Sequence, residues 1–202
     1  MYKFTNKIIK TSALKSETRK DEIIKTATKL FKEKGYSAVT MRDLATEMGI
    51  KAASLYNHID SKQDILKSII ISLAENFTNG MEVIKNSNNN AIEKLKSIVT
   101  LHVEITSKNT YGMASLNNDW MHLEDQLEYY LRLRKKYEQD FIDIIKSGIA
   151  SNQIIDANPE IIMFSILTTL RSLYLWIPKK EELDRSQLSI QLSQVLINGI
   201  NK

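Results

Sequence analysis

Hydrophobic residues recur with a helical period along nearly the whole chain. Between residues 16 and 34, the stripe Ile23, Ile24, Ala27, Leu30 and Phe31 follows a period of 3.6 residues. Similar spacing predicts eight further helices, over about residues 40–48, 51–58, 61–79, 92–106, 113–123, 125–150, 159–176 and 185–199. We identify no strand pattern and no internal repeat, so the predicted fold class is all-α with about nine helices.

Polar residues and glycines mark the ends of these helices. Thr40 and Ser61 each precede a helix and have an aspartate three residues on, the spacing of a capping box. Gly49 interrupts the chain between two short helices, and Asn158 followed by Pro159 is typical of a helix start. The helix that begins there is apolar on nearly all sides, which predicts that it lies inside the body or packs against a partner subunit.

Composition excludes several classes of protein. The 202 residues include no cysteine, which removes disulfides, thiolate metal sites and cysteine nucleophiles, and the three histidines are widely spaced. The N-terminus lacks the apolar core of a signal peptide, and we expect no stretch near the roughly 18 apolar residues of a membrane span. No phosphate loop, zinc motif or nucleophile elbow occurs. We therefore expect a cytoplasmic protein that is not an enzyme and needs no cofactor or metal.

Charge is unevenly distributed along the chain. Residues 1–62 hold 13 basic and 7 acidic side chains, whereas residues 63–202 hold 15 basic and 17 acidic ones. A basic N-terminal unit joined to a slightly acidic remainder predicts a module that binds a polyanion, attached to a larger sensor or partner domain. Residues 1–16 carry four lysines and no acid, so they are either a mobile basic arm or an inert terminus.

Residues 40–59 have the spacing of a helix-turn-helix. A short helix with Ala45 at its contact point is followed by Gly49 in the turn, Ile50, and a second helix anchored by Leu55. Such a pair presents its second helix to the major groove of double-stranded DNA. The small or polar residues free to face DNA are Lys51, Ala52, Ala53, Ser54, Tyr56, Asn57 and His58. The residues placed to reach phosphates around them are Thr40, Arg42 and Lys62.

The sequence over residues 17–77 closely resembles the TetR family of bacterial transcriptional regulators. The resemblance is carried by pairs and runs at fixed spacings, among them Ile23-Ile24, Leu30-Phe31, Gly35-Tyr36, Val39-Thr40, Leu44-Ala45, Gly49-Ile50, Leu55-Tyr56-Asn57-His58, Ser61-Lys62 and Ile65-Leu66. It implies a three-helix DNA-binding head on a connecting fourth helix at 17–77. It also implies an all-α ligand-binding and dimerisation body at 78–202.

The resemblance also implies roles for individual residues. Thr40 and Arg42 would contact the DNA backbone at the start of the second helix. The base-reading positions would be Lys51, Ala52, Ala53 and Ser54, and the phosphate contacts Tyr56, His58 and Lys62. Because the two alanines offer only methyl contacts, we expect Lys51, Ser54 and Asn57 to carry most of the direct readout.

The remainder of the chain is similar to the branch of the family that responds to acyl-CoA thioesters. That similarity rests on a tyrosine-rich long helix and on Trp176-Ile-Pro178 at the end of the penultimate helix. It implies a hydrophobic effector, an acyl-CoA or another small molecule. The predicted pocket residues are Phe77, Met81, His102, Met113, Leu116, Trp120, Tyr137, Phe164, Leu167, Arg171 and Tyr174. Most methionines and aromatic residues at helical spacing are core residues, so packing is the alternative for each of these.

Three charged or titratable features of the body have two interpretations. Arg171 lies in an otherwise apolar helix, so it needs either a carboxylate or an anionic ligand group as its partner. His102 is either a hydrogen-bonded core histidine or a ligand contact. The basic run 132–136 is either a solvated face or part of a site for a CoA phosphate.

The sequence therefore predicts a ligand-responsive transcriptional regulator, acting as a repressor. It would bind a palindromic operator as a homodimer, held by the last two helices, without membrane association, and would be released by a small effector. The alternative is an architectural DNA-binding protein with no effector, and a small molecule that lowers operator affinity would separate the two.

Overall fold

The computed structural model describes residues 18–180 and 184–199. The predicted basic arm at 1–16 lies outside the described residues. The first four helices are α1 (Arg19–Lys34), α2 (Met41–Glu47), α3 (Ala52–Leu55) and α4 (Lys62–Lys85). The next six are α5 (Ala91–Lys108), α6 (Thr110–Asn118), α7 (Leu127–Ala150), α8 (Pro159–Arg171), α9 (Leu173–Trp176) and α10 (Arg185–Ser193). Shorter helical turns are Trp120–His122, Glu124–Gln126, Ile177–Lys179 and Gln194–Asn198.

The all-α prediction is confirmed. Within the two described ranges no residue lies in a strand. Helices α8 and α9 are separated only by Ser172, so if they are treated as one broken helix the described residues contain nine α-helices.

The predicted helix caps are also confirmed. The Asp43 backbone N–H donates to Thr40 Oγ1 at 3.2 Å, and the Thr40 N–H donates to the Asp43 carboxylate at 2.8 Å, completing a capping box. Ser61 Oγ accepts from the Asp64 N–H at 3.0 Å. Pro159 is the first residue of α8, where its missing N–H costs no hydrogen bond.

Several predicted helices differ in extent from the observed ones. The last helix, predicted over residues 185–199, has α geometry only to Ser193. The helix predicted over residues 51–58 has regular α geometry only over Ala52–Leu55. The fourth helix continues to Lys85, so the proposed division after residue 77 falls inside a continuous helix. The helix predicted over residues 113–123 is an α-helix only as far as Asn118. Short 3₁₀ turns follow it.

Helix α4 connects the two parts of the structure. Its first turns pack on α1, and Leu55 and Ile65 are fully buried there among the other apolar residues of the head. Further along, α4 packs against α5, α6 and α7 in the body. One uninterrupted helix therefore belongs to both cores.

The outer side of α8 is apolar and exposed. Ile161 and Phe164 of α8 keep 63 and 66% of their surface exposed, and Leu175 of α9 keeps 51%, although Ile166, Leu167 and Leu170 on the inner side of α8 are buried. By length and composition the segment Pro159–Lys179 could cross a membrane, which corrects the expectation that no stretch would be long enough. A single such helix is weak evidence of a span, and its exposed side equally suits a subunit interface.

Candidate DNA-binding surface and effector cavity

The turn between α2 and α3 fixes the helix-turn-helix. Gly49 has a φ of 65°, a left-handed conformation that glycine adopts without steric cost. Its N–H donates to the Thr46 carbonyl at 3.1 Å, and the Ile50 N–H donates to the Ala45 carbonyl at 3.0 Å. These two bonds and the conformation of Gly49 fix the turn that joins α2 to α3.

Helix α3 turns an apolar side to the core and a polar side to solvent. Leu55 is fully buried, and Ala52 is half-buried against the core, which leaves it little surface for DNA. Ser54 is partly exposed. The other predicted contact residues of this segment, all exposed, are Lys51, Ala53, Tyr56, Asn57 and His58.

The two residues predicted to contact the DNA backbone at the start of α2 differ in whether their side chains already have a partner in the protein. Arg42 is exposed on the first turn of the helix. The Thr40 hydroxyl donates to the Asp43 carboxylate at 2.6 Å while it caps the helix, and these bonds hold the pKa of that carboxyl below its usual range. Thr40 therefore stabilises the helix that carries Arg42.

Lys62 has partners inside the protein. Its ammonium donates to the carbonyls of Tyr36 and Val39, at 2.9 and 2.8 Å, and lies 4.3 Å from the centroid of the Tyr36 ring. Partial burial lowers the pKa of this ammonium. Lys62 thus connects the start of α4 to the loop between α1 and α2. The family resemblance implied only a phosphate contact for this residue.

We expect Lys62→Met to lower the free energy of unfolding by about 2 kcal/mol, because two loop carbonyls lose a charged donor. Urea denaturation of this variant beside Lys51→Met, which removes an exposed lysine from the same surface, measures the difference. If Lys62→Met leaves stability unchanged and instead flattens the salt dependence of DNA binding by about one unit, then the phosphate contact is the main role of Lys62.

A cavity of about 290 Å³ lies in the body between α4, α5, α6, α7 and α8. It is lined by Ala74, Phe77, Thr78, His102, Met113, Leu116, Asn117, Trp120, Tyr130, Leu133, Arg134, Tyr137, Leu167 and Arg171. The structure thus brings together eight of the eleven predicted pocket residues. Their binding of an effector stays a prediction.

Three predicted pocket residues do not line the cavity. Met81 is completely buried in the core, one turn of α4 beyond the cavity wall. Phe164 lies on the exposed outer side of α8, away from the cavity. Tyr174 is buried beyond the break at Ser172, with its hydroxyl 3.4 Å from the side-chain nitrogen of Asn118.

Sequence reasoning missed six lining residues: Ala74, Thr78, Asn117, Tyr130, Leu133 and Arg134. Helical spacing could have found most of them, since Ala74 and Thr78 flank Phe77 on one face of α4. Tyr130, Leu133 and Arg134 precede Tyr137 on one face of α7. The interpretation of residues 132–136 as a solvated face is wrong for Arg134, which is half-buried in the cavity wall.

An aromatic cluster forms one end of the cavity. The rings of Phe77 and His102 lie 4.6 Å apart, and His102 Nε2 is 2.8 Å from the Tyr137 hydroxyl. His102 is therefore a hydrogen-bonded core histidine that also faces the cavity. Burial lowers the pKa of His102 to about 3 and raises the pKa of Tyr137, so both rings are neutral at pH 7.

Two arginines on the cavity wall share one carboxylate. Arg171 Nη2 and Arg134 Nε lie 2.8 and 3.1 Å from the same oxygen of Glu138, Oε1. These bonds lower the pKa of Glu138 although its partial burial acts in the opposite direction. The expected partner of Arg171 is thus a carboxylate of the protein itself.

A second set of contacts joins the cavity to the head. Trp120 lines the cavity, and two residues later the His122 ring contacts the Tyr36 ring of the head, with 5.3 Å between the ring centroids. Gln63, in the first turn of α4, donates to the His122 carbonyl and accepts from the Tyr36 hydroxyl at 2.7 Å. The loop that Lys62 anchors is therefore in contact with a segment that begins at the cavity.

Family models cover both parts of this architecture. Residues 23–69 match the model described as bacterial regulatory proteins of the tetR family, and residues 88–200 match the tetracyclin repressor-like C-terminal domain. The chain belongs to the TetR family. It is therefore a DNA-binding transcriptional regulator and not an enzyme. Among the described residues, no group of histidine, aspartate and glutamate side chains is arranged to hold a metal ion.

Particular relatives give this assignment its context. The chain is 22% identical over 188 residues to the HTH-type transcriptional repressor KstR2 of Mycolicibacterium smegmatis, covering 92% of each chain. It is 40% identical over 76 residues to IcaR of Staphylococcus aureus, a negative regulator of a biofilm operon, covering 38% of this chain and 41% of IcaR. The structure of the ketosteroid regulator KstR2 of Mycobacterium tuberculosis aligns with a TM-score of 0.85 at 22% identity, covering 93% of this chain and 97% of that one.

Proposed function

We propose that the protein is a cytoplasmic, homodimeric repressor that binds a palindromic operator and is released by a small-molecule effector. The observation that carries this proposal is the position of α4. The helix begins at Lys62, bonded to the head, and reaches the cavity wall at Phe77 and Thr78. At 1.5 Å per residue, those two points are about 22 Å apart along one rigid element.

Repression and dimerisation have separate support. The relatives KstR2 and IcaR are both named as repressors or negative regulators. The exposed residues of α8 and the exposed Ile190 and Val195 near the C-terminus offer apolar surface to a second copy. Two copies would present two α3 helices to successive major grooves, about 34–36 Å apart.

Release follows from two states of the head. An effector in the cavity would displace Phe77 on α4 and Trp120 ahead of His122, and both routes end at the α1–α2 loop beside Lys62. Effector and operator would then prefer different arrangements of the head. By linkage each weakens the binding of the other equally, with a usual coupling of about 1–3 kcal/mol. An architectural protein without an effector would lack this coupling.

We expect the full-length protein to select a two-fold symmetric sequence from random duplex DNA. Asn57→Ala should alter preference at one position in each half-site, by roughly 1–3 kcal/mol, because an exposed asparagine on α3 can read one base edge. Sequencing of the selected DNA measures both. Selection without two-fold symmetry would contradict the dimeric operator, and an unchanged profile would remove Asn57 from the readout.

A further inference from the structure

The cavity has a net positive wall. Arg134 and Arg171 both line it, but Glu138, which binds both guanidinium groups, is not among the lining residues. The lining residues in the described part of the chain include no aspartate or glutamate. Two guanidinium charges against one carboxylate leave about one positive charge facing the cavity.

The remaining titratable groups of the wall do not offset this charge. Burial lowers the pKa of His102 and raises the pKa of Tyr130 and of Tyr137, so all three side chains are neutral at pH 7. Each guanidinium has five N–H donors, and the bonds to Glu138 use one from each. Arg134 has a further hydrogen bond with the Tyr130 side chain, and donors of both guanidinium groups remain for an anion in the cavity.

Apart from Thr78 and Asn117, the rest of the wall is apolar or aromatic, and the volume is small. Phe77, Leu133 and Leu167 offer surface to a hydrocarbon body, and the Trp120 ring stacks with Tyr130 at a centroid distance of 5.8 Å. At about 290 Å³ the cavity lies near the lower end of the usual range for ligand sites, about 300–1,000 Å³. A whole acyl-CoA exceeds it, and the negative charges of that molecule lie on its nucleotide portion, far from the acyl group.

We propose that the effector is a small monocarboxylic acid with an apolar or aromatic body, whose carboxylate binds Arg134 and Arg171. This inference rests on the proposed function, because it assigns a ligand class to the same cavity. The planar fork of a guanidinium matches a carboxylate. One negative charge balances the wall, whereas a neutral ligand leaves it unbalanced and a cationic ligand adds to it.

The test compares acids with amides of nearly the same shape. Isothermal titration calorimetry of the full-length protein at pH 7 would use octanoate, 4-phenylbutyrate and 1-naphthylacetate, each beside its primary amide and with octylamine and decanoyl-CoA as further arms. We expect at least one acid to bind about tenfold or more tighter than its amide, the usual effect of a charge-assisted hydrogen bond. Equal binding of acid and amide in every pair, binding of octylamine or decanoyl-CoA alone, or no binding by any acid at millimolar concentration would overturn the inference.

Three variants and a control test whether Arg134 and Arg171 bind the carboxylate of the ligand. Arg134→Gln and Arg171→Gln should each bring the ratio of amide to acid dissociation constants close to one. Glu138→Gln should widen the ratio by about tenfold, since both guanidinium groups lose their competing carboxylate. Arg132→Gln removes an arginine whose side chain is 67% exposed on the same helix and should leave the ratio unchanged. An unchanged ratio in both Arg134→Gln and Arg171→Gln would overturn the assignment.

Measurements of operator binding distinguish failure of the carboxylate assignment from failure of the proposed function. Each variant is also checked for its melting temperature and for selection of the palindrome without ligand, so an unfolded variant is recognised. If the ligand-free wild-type protein selects no palindrome, the proposed function fails. If it selects one and amides release it as well as acids do, the function holds and the carboxylate assignment fails.

Discussion

Phe164→Glu is expected to raise the dissociation constant of the homodimer about a hundredfold or more. The side chain is 66% exposed on α8, so glutamate costs little in the isolated subunit. In a symmetric dimer the change occurs twice, and burying two unpaired carboxylates costs about 3 kcal/mol or more. Sedimentation equilibrium measures the dissociation constant directly, and loss of palindrome binding should accompany it.

The matched control for this interface is Met121→Glu. Met121 is 63% exposed in the helical turn Trp120–His122, which lies between α6 and α7 in the chain. It should leave self-association unchanged. Equal weakening by both substitutions would point to a general effect of added charge, and no weakening by Phe164→Glu would place the dimer interface elsewhere.

Acidification is expected to destabilise the protein through His102. The pKa of this group falls from 6.5 to about 3 on folding, because burial disfavours its charged form. Below pH 6.5, His102 therefore binds a proton in the unfolded chain but not in the folded one. The free energy of unfolding falls as the pH falls. At about pH 4.5, two units below the unfolded pKa, the loss from this one residue is about 3 kcal/mol.

The measurement compares urea unfolding at pH 7 and pH 4.5 at one protein concentration. Carboxylates also titrate in this interval, so the relevant quantity is the difference in pH dependence between a variant and the wild type. His102→Gln should remove about 3 kcal/mol of the pH dependence. His58→Gln, which replaces an exposed histidine, should leave it unchanged. Equal pH dependence in His102→Gln and the wild type would show that folding does not change the pKa of His102.

The sequence was most informative where the determinants are local. The Thr40–Asp43 capping box and Pro159 at a helix start depend on residues within one helical turn, so their spacing alone determines them. The TetR family, which is recognised from residue pairs at fixed spacings, and the all-α class are also confirmed, the family by a model that matches residues 23–69. Helix ends that depend on distant packing, such as the continuation of α4 to Lys85, were predicted less accurately.

Only the tertiary structure decided which side of each helix faces which neighbour. Phe164 and Leu167 are both apolar residues of α8, yet one is exposed and the other lines the cavity, since helices α5 and α7 cover only the inner side. Lys62 has the charge of a phosphate contact, but two carbonyls more than 20 residues earlier in the chain bind it. Arg134 and Arg171 converge on Glu138 from different helices. Helical periodicity determines which residues share a face, whereas contacts between residues distant in sequence arise only when the helices pack.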